Sequence, residues 1–137
     1  MKIKLEEWAI MPERGYKTDA GLDLKTPIDF TVEPHNSVVI DTGVHVELPR
    51  CTVGMLKSKS GLNIKHSITS EGVIDEGYTG SIKAKLFNHS FKKVDFKKGD
   101  KITQLVILPV IIPEAITLVD SLEDTERGSN GFGSTGR

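Results

Sequence analysis

The sequence predicts an all-β domain with one short helix, and three observations carry that reading. Apolar and polar residues alternate with period two through most of the chain, as half-buried strands require. Turn-forming clusters interrupt these runs at short intervals, the spacing of a sandwich, jelly roll or barrel. Only residues 60–66 look helical. At 137 residues the chain has room for one domain with a core of its own, small enough to lean on partner subunits.

Taken in order, Ile3 and Leu5 alternate with lysines, and Ile28, Phe30 and Val32 alternate with Asp29 and Thr31. Val44, Val46 and Leu48 alternate with His45 and Glu47, and Ile82, Ala84 and Leu86 with Lys83 and Lys85. The run from Ile102 to Leu108 is more continuously apolar, which predicts a strand buried on both faces. Glu33-Pro34-His35-Asn36, Leu48-Pro49-Arg50, Asn88-His89-Ser90 and Lys97-Lys98-Gly99-Asp100 read as turns. Residues 60–66 predict about two helical turns, with Ser60 as the cap.

Charged residues make up 27% of the chain and its net charge is −1, so no overall field points to nucleic acid or a membrane surface. Cys51 stands alone, which excludes an internal disulfide framework and favours a reducing compartment. The first residues alternate charge with apolar side chains, unlike a signal peptide, and the run 105–113 is too short to span a bilayer. A soluble cytoplasmic protein is expected.

Four internal segments offer chemistry, each with a plainer alternative. Asp75, in Gly72-Val73-Ile74-Asp75-Glu76-Gly77-Tyr78, sits at a hairpin mouth. A carboxylate ionised at neutral pH can accept a proton from water there, and Tyr78 offers a ring to pack on a sugar; an ordinary turn would look the same. Lys57-Ser58-Lys59-Ser60-Gly61-Leu62 combines cations, hydroxyls and glycine at a helix start, where amides favour an anion; a capped surface helix is the alternative. Asp23, in Asp19-Ala20-Gly21-Leu22-Asp23-Leu24, stands within an apolar alternation. Burial of its carboxylate is costly unless it is paired or near a metal; a wet strand face is the alternative. Gln104, in Gly99-Asp100-Lys101-Ile102-Thr103-Gln104, is either a poised amide or part of a turn entering a strand.

The last segment, Arg127-Gly-Ser-Asn-Gly-Phe-Gly-Ser-Thr-Gly-Arg137, has glycine amides open to anions, one stacking ring in Phe132 and two guanidinium forks. It suggests a lid over a nucleotide, or else a terminus without a role. Gly131 to Gly136 matches G-x-G-x-x-G, but no helix or acidic residue follows it. Gly128 to Gly133 has Walker-like spacing with Ser134 in the lysine's place. His35, His45, His66 and His89 lack ligand spacing, and one cysteine cannot build a thiolate site. A zinc-dependent nucleobase deaminase, which needs paired cysteines, is thereby excluded.

In identity, order and spacing, the segments at 19–24, 57–62, 72–78, 99–104 and 127–136 resemble the five motifs of trimeric dUTPases. The resemblance implies a jelly-roll or distorted β-barrel core over residues 1–120. It also implies a flexible arm, 121–137, closing over a neighbouring active site, in a homotrimer whose three sites are shared between subunits. It implies Mg²⁺-dependent hydrolysis of dUTP to dUMP and pyrophosphate by water attack on the α-phosphorus.

By the same resemblance Asp75 is the base, and Gln104 bonds the α-phosphate or the attacking water. Tyr78 stacks on deoxyribose, and the backbone near Gly72 reads uracil. Ser60 and Gly61 hold the β-phosphate, with Lys59 as a cationic neighbour. Asp23 orders Mg²⁺ through water, the ion being held mainly by the triphosphate. Arg127 binds the γ-phosphate, Phe132 stacks on uracil, and Gly133, Ser134 and Thr135 complete the phosphate contacts.

Several positions depart from the family pattern, Gly77 and Asn130 where the family tolerates variation and two others with more consequence. Lys59 replaces an arginine, turning a bidentate clamp into a point charge. Thr69 stands where many members carry a uracil-binding asparagine. A dCTP deaminase on the same fold is the enzymatic rival, and a non-catalytic nucleotide sensor the rival of another class.

Overall fold

The computed structural model describes residues 1–130, and among these it is built from ten strands and one helix. The strands are β1 (Lys2–Leu5), β2 (Gly21–Lys25), β3 (Phe30–Val32), β4 (Ser37–Asp41), β5 (Val44–Glu47), β6 (Thr52–Lys57), β7 (Ile68–Ile74), β8 (Lys83–Asn88), β9 (Val94–Phe96) and β10 (Lys101–Pro109). The helix, α1, spans Ser60–His66. A six-stranded antiparallel sheet, in the order β2-β10-β6-β7-β8-β4, forms a curled wall. Two ribbons, β1-β5 and β3-β9, pack on it.

Each ribbon seals its own core. Val44 and Val46 of β5, with Ile3 and Leu5 behind them, meet Leu24, Leu56, Ile74 and Leu105 of the sheet. Val32 and Phe96 from the other ribbon meet Ile40, Ile68, Ala84, Leu86 and Ile102. Phe30 and Phe96 stack at 4.7 Å between ring centroids, a geometry aromatic pairs favour. Burying each of these large aliphatic side chains stabilises the fold by about 1.5–3 kcal/mol. The alternation read along 82–86 is realised, with Ile82, Ala84 and Leu86 buried while Lys83 and Lys85 face outward, and it continues to an outward Phe87 and a buried Asn88.

Three local expectations are corrected. Ser60 is not the cap of α1. Lys59 occupies that position with extended backbone and no side-chain cap bond, and Ser60 is the first helical residue. Ile28 does not belong to β3; the Thr26 hydroxyl donates to the Ile28 carbonyl and accepts its N–H, folding the chain into a turn that leaves Ile28 exposed. Strand β10 is buried at Ile102, Thr103 and Leu105 but not at Leu108. The pairing with β2 stops at Val106, so the outer part of β10 has a neighbour on one edge only.

After Pro109 the described residues form no helix or strand, and Ile111, Ile116, Leu118 and Leu122 are exposed. No helix among the described residues is long and apolar enough to cross a membrane.

Candidate functional site

The ladder of the central sheet aligns Asp23, Gln104, Lys57 and Glu71 on one rung across four strands. Just beyond this rung β6 ends, and Ser58 turns the chain toward α1. Ser58 is pinned from two sides: its hydroxyl accepts the Ser70 N–H (2.9 Å) and donates to the Ser70 carbonyl, while its own carbonyl accepts from Gln104 Nε2 at 3.1 Å. Lys59, Ser60 and Gly61 follow from this anchored point. Gly61 meets no atom within 4 Å where a Cβ would stand, so its face is open.

Asp23 is the electrostatic centre of this corner. It is only 3% exposed, and its two carboxylate oxygens accept from different lysines: Oδ1 from Lys59, Oδ2 from Lys101 at 2.9 Å. Burial works to raise its pKa, but the Lys59 and Lys101 hydrogen bonds and charges outweigh it and hold the carboxyl below its ordinary value. The same contact, with Glu13 nearby, raises Lys101. Glu13 in turn pairs with Lys25 at 2.8 Å, and its backbone bridges that of Asp23. Of the two readings open for Asp23, the buried, paired one holds in this chain.

Asp75 lies elsewhere. The turn that follows β7 is closed by the Tyr78 N–H donating to the Asp75 carbonyl (3.0 Å), and Asp75 is exposed. Glu76 ties the turn down by accepting the Cys51 N–H at 2.7 Å. The Tyr78 hydroxyl donates to the Ser81 carbonyl at 3.0 Å, with its ring folded over Gly80, where a Cβ would sit 2.5 Å from that hydroxyl. Asp75 is four residues beyond Glu71 on β7, about 13 Å along the strand, and β7 is two strands, roughly 10 Å, from β10. One chain therefore brings Asp23, Lys59, Ser60, Gly61 and Gln104 together but does not bring Asp75 and Tyr78 to them.

Between these two groups the sheet opens. β7 pairs with β8 only from Ile68 to Ser70, whereas it pairs with β6 from Glu71 to Ile74. β8 pairs with β4 over Lys83–Phe87, so from Lys83 to Lys85 its other edge is free. The edge of β7 around Gly72 and Val73 thus presents unpaired main-chain donors and acceptors toward an equally free edge of β8. Gly72 itself packs tightly, since a Cβ there would come 3.1 Å from Leu56. The Thr69 hydroxyl is engaged by His89 Nε2 at 2.7 Å, outside this opening.

Arg127 makes a local turn with Asn130, whose carbonyl accepts from its Nε at 3.2 Å. Phe132, Gly133, Ser134 and Thr135 lie outside the described residues. Sequence reasoning did not single out Lys101, Gly21, Ser70 or Gly80 as parts of the site. Lys101 and Gly21 stand inside the segments 99–104 and 19–24, and Gly80 follows Tyr78 by two residues. Nothing local marks Ser70, whose role depends on Ser58 across the sheet.

With lysines and an open glycine at strand ends and on a two-turn helix, and an exposed carboxylate beside a hairpin, the domain has the kinds of groups an all-β hydrolase uses. The chain belongs to the dUTPase family: that family's model matches residues 7–136. It is 45% identical to a deoxyuridine 5'-triphosphate nucleotidohydrolase of Gloeothece citriformis, over 97% of this chain and 93% of that one. It is 37% identical to the corresponding protein of Candida glabrata, over 100% and 96%. The dUTPase of Staphylococcus bacteriophage 80alpha, solved with dUPNHPP, superposes with a TM-score of 0.91 at 33% identity, covering 99% of this chain and 98% of that one. A mutant dUTPase of phage phi11 of S. aureus, with a TM-score of 0.81 at 31% identity over 90% and 98%, coordinates a structural Mg(II) ion.

Proposed function

We propose that the protein hydrolyses dUTP to dUMP and pyrophosphate by attack of water on the α-phosphorus, keeping uracil out of DNA and supplying dUMP for dTTP synthesis. The observation that carries the substrate class is the free main-chain edge of β7 from Glu71 to Ile74. Fixed N–H and C=O groups at that spacing suit the edge of a flat, hydrogen-bonding base, and the cationic corner at Lys59 suits its phosphates. In this reading the backbone at Gly72 bonds uracil and Tyr78 stacks on the deoxyribose, where a 2′-hydroxyl would be crowded.

Ser60 and Gly61 hold the β-phosphate with Lys59 beside them, and Gln104 bonds the α-phosphate or the attacking water. Asp75 takes the proton from that water as the new P–O bond forms and pyrophosphate leaves. Arg127 binds the γ-phosphate, Phe132 stacks on uracil, and Gly133, Ser134 and Thr135 close on the phosphates. Positioning and charge neutralisation supply most of the catalysis in such a transfer.

Mg²⁺ suits this site as an ion carried in on the substrate. Among the described residues no group of three or more His, Cys, Asp or Glu could cage an ion. Both Asp23 oxygens already accept from lysines, so Asp23 would meet the ion through water, the triphosphate supplying the direct ligands. When bound, Mg²⁺ neutralises phosphate charge and aligns the α-phosphorus.

The separation of Asp75 from Gln104 within one chain supports a homotrimer in which each site is shared. Its body would be residues 1–120, and residues 121–137 would form an arm reaching a neighbouring site. The exposed aliphatic row from Ile111 to Leu122 supports the same assembly.

The test is pyrophosphate release with Mg²⁺ and each deoxynucleoside triphosphate plus UTP, with Asp75→Asn in parallel. Release from dUTP alone, lost in the variant, is expected. An unaffected variant would overturn the assignment of the base, and turnover of dCTP would favour the deaminase-type relatives. Substantial activity in a demonstrably monomeric preparation would overturn the shared site.

A further inference from the structure

We infer that the turn joining β4 to β5 positions Tyr78, with Asp41 and His45 as its positioning side chains, and so helps set the discrimination between deoxyribose and ribose. The inference rests on the proposed reading of Tyr78 as the sugar-facing residue. In an ordinary hairpin the return arm is fixed by the ladder to the outgoing arm. Here that ladder is missing beyond Ser70 and Leu86, so residues 78–82 need another anchor.

The 41–45 turn supplies it at four points. His45 Nδ1 lies 2.8 Å from the Thr79 carbonyl, which can only accept, so Nδ1 carries the hydrogen. The Ser81 hydroxyl donates to the Asp41 carboxylate. The Thr42 N–H and hydroxyl both donate to the Ile82 carbonyl, at 3.0 and 2.7 Å, and the Ile82 N–H donates to Val44 O at 2.8 Å. The Tyr78 hydroxyl then bonds the carbonyl of Ser81, the residue Asp41 holds. The direction of the Tyr78 ring is therefore inherited from the turn, not from the hairpin's own partner strand.

The turn is itself stiff. Asp41 also accepts the Gly43 N–H at 3.0 Å. Gly43 has φ +66° and lies under Trp8, whose ring would stand 2.7 Å from any Cβ there. His45 Nε2 contacts Glu6 at 2.9 Å, which backs the turn against the N-terminal segment. Thr42, Val44 and Ile82 are fully buried, whereas Asp41 and His45 are nearer the rim. Truncating the rim pair should leave the core anchor in place and free only the tip that carries Tyr78.

The experiment compares kcat and KM for dUTP and UTP in wild type, Asp41→Ala, His45→Ala, Asp41→Asn, Tyr78→Ala and the Asp41→Ala/Tyr78→Ala double variant, with thermal unfolding of each. Misplacement of a positioned group by about 1 Å costs up to ~10²-fold, so a loosened tip should lower the dUTP-over-UTP ratio of kcat/KM about tenfold in each single alanine variant. Asp41→Asn keeps an oxygen for Ser81 and should retain most of the ratio. Once Tyr78 is gone, adding Asp41→Ala should change the ratio no further, a non-additivity that a merely structural role would not give. Unchanged ratios in folded alanine variants, or additive effects in the double variant, overturn the inference while leaving the proposed function standing. A wild type that hydrolyses dUTP and UTP alike overturns the sugar reading of Tyr78 and this inference with it.

Discussion

Gln104 lies across Gly21. A Cβ built on Gly21 would stand 3.0 Å from both Cβ and Cδ of Gln104 and closer still to its side-chain oxygen. Gly21 is two residues from Asp23 on β2, on the same face, so the bare glycine makes the slot in which the amide rests. We expect Gly21→Ala to displace Gln104, lowering kcat about 10²-fold while the circular dichroism spectrum is kept. Steady-state kinetics with an unchanged kcat would show that Gln104 does not act from this slot.

Asp23 neutralises two lysines in a place with little water. Removing one partner of a buried ion pair costs ~3–5 kcal/mol, and partial exposure of the lysines reduces this to about 1–3 kcal/mol for Asp23→Asn. Urea unfolding should show a lower midpoint, with the slope unchanged.

The sign of the acid response follows from the same carboxyl. Its folded pKa is depressed below the ordinary 3.8, so its stabilisation is complete above that value and is lost as pH falls through the folded pKa. Wild type should therefore lose thermal stability below pH 3.8 more steeply than Asp23→Asn. Parallel melting curves for the two proteins would contradict this.

Lys59 reaches Asp23 as a point charge, and a lysine cannot grip a phosphate with two parallel bonds. Lys59→Arg should lower the KM for dUTP several-fold, with a smaller effect on kcat. An unchanged KM would mean that the cation's main duty is to Asp23.

Glu76 fastens the Asp75 turn to the backbone of Cys51, a residue held at φ +57°. Glu76→Ala should lower kcat about tenfold by loosening the base, with little change in KM. Glu76→Gln, which keeps an acceptor oxygen, should recover most of the loss. Equal loss in both variants would point to charge and not to anchoring.

The parts of this molecule that were legible in its sequence are those written locally. Residues 60–66 form the one short helix the sequence predicts, and the alternation at 82–86 maps directly onto burial. The cap position falls on Lys59 and not on Ser60, and the pinning of Ser58 by Ser70 and Gln104 just ahead of it runs between segments distant in the chain. Asp23 could be read as costly to bury, but its second lysine, Lys101, comes from the far end of the chain. Strands β4 and β6 give no such signal, because short apolar runs such as Val38-Val39-Ile40 carry no clean alternation. The gap between β7 and β8 depends on register, which one strand's sequence does not encode.

That gap bears on how easily the protein's selectivity could drift. On the proposed reading the base is met by peptide groups, and these are chemically alike whatever side chain they carry. Glu71 and Val73 point away to the exposed face of β7, so their replacement rewrites the surface and leaves the recognising edge as it was. Base preference is then tolerant of point substitutions along this strand, and resistant to being redirected by them. Acquiring a different base would take an inserted or deleted residue that shifts the whole strand, a rarer evolutionary event than a changed side chain.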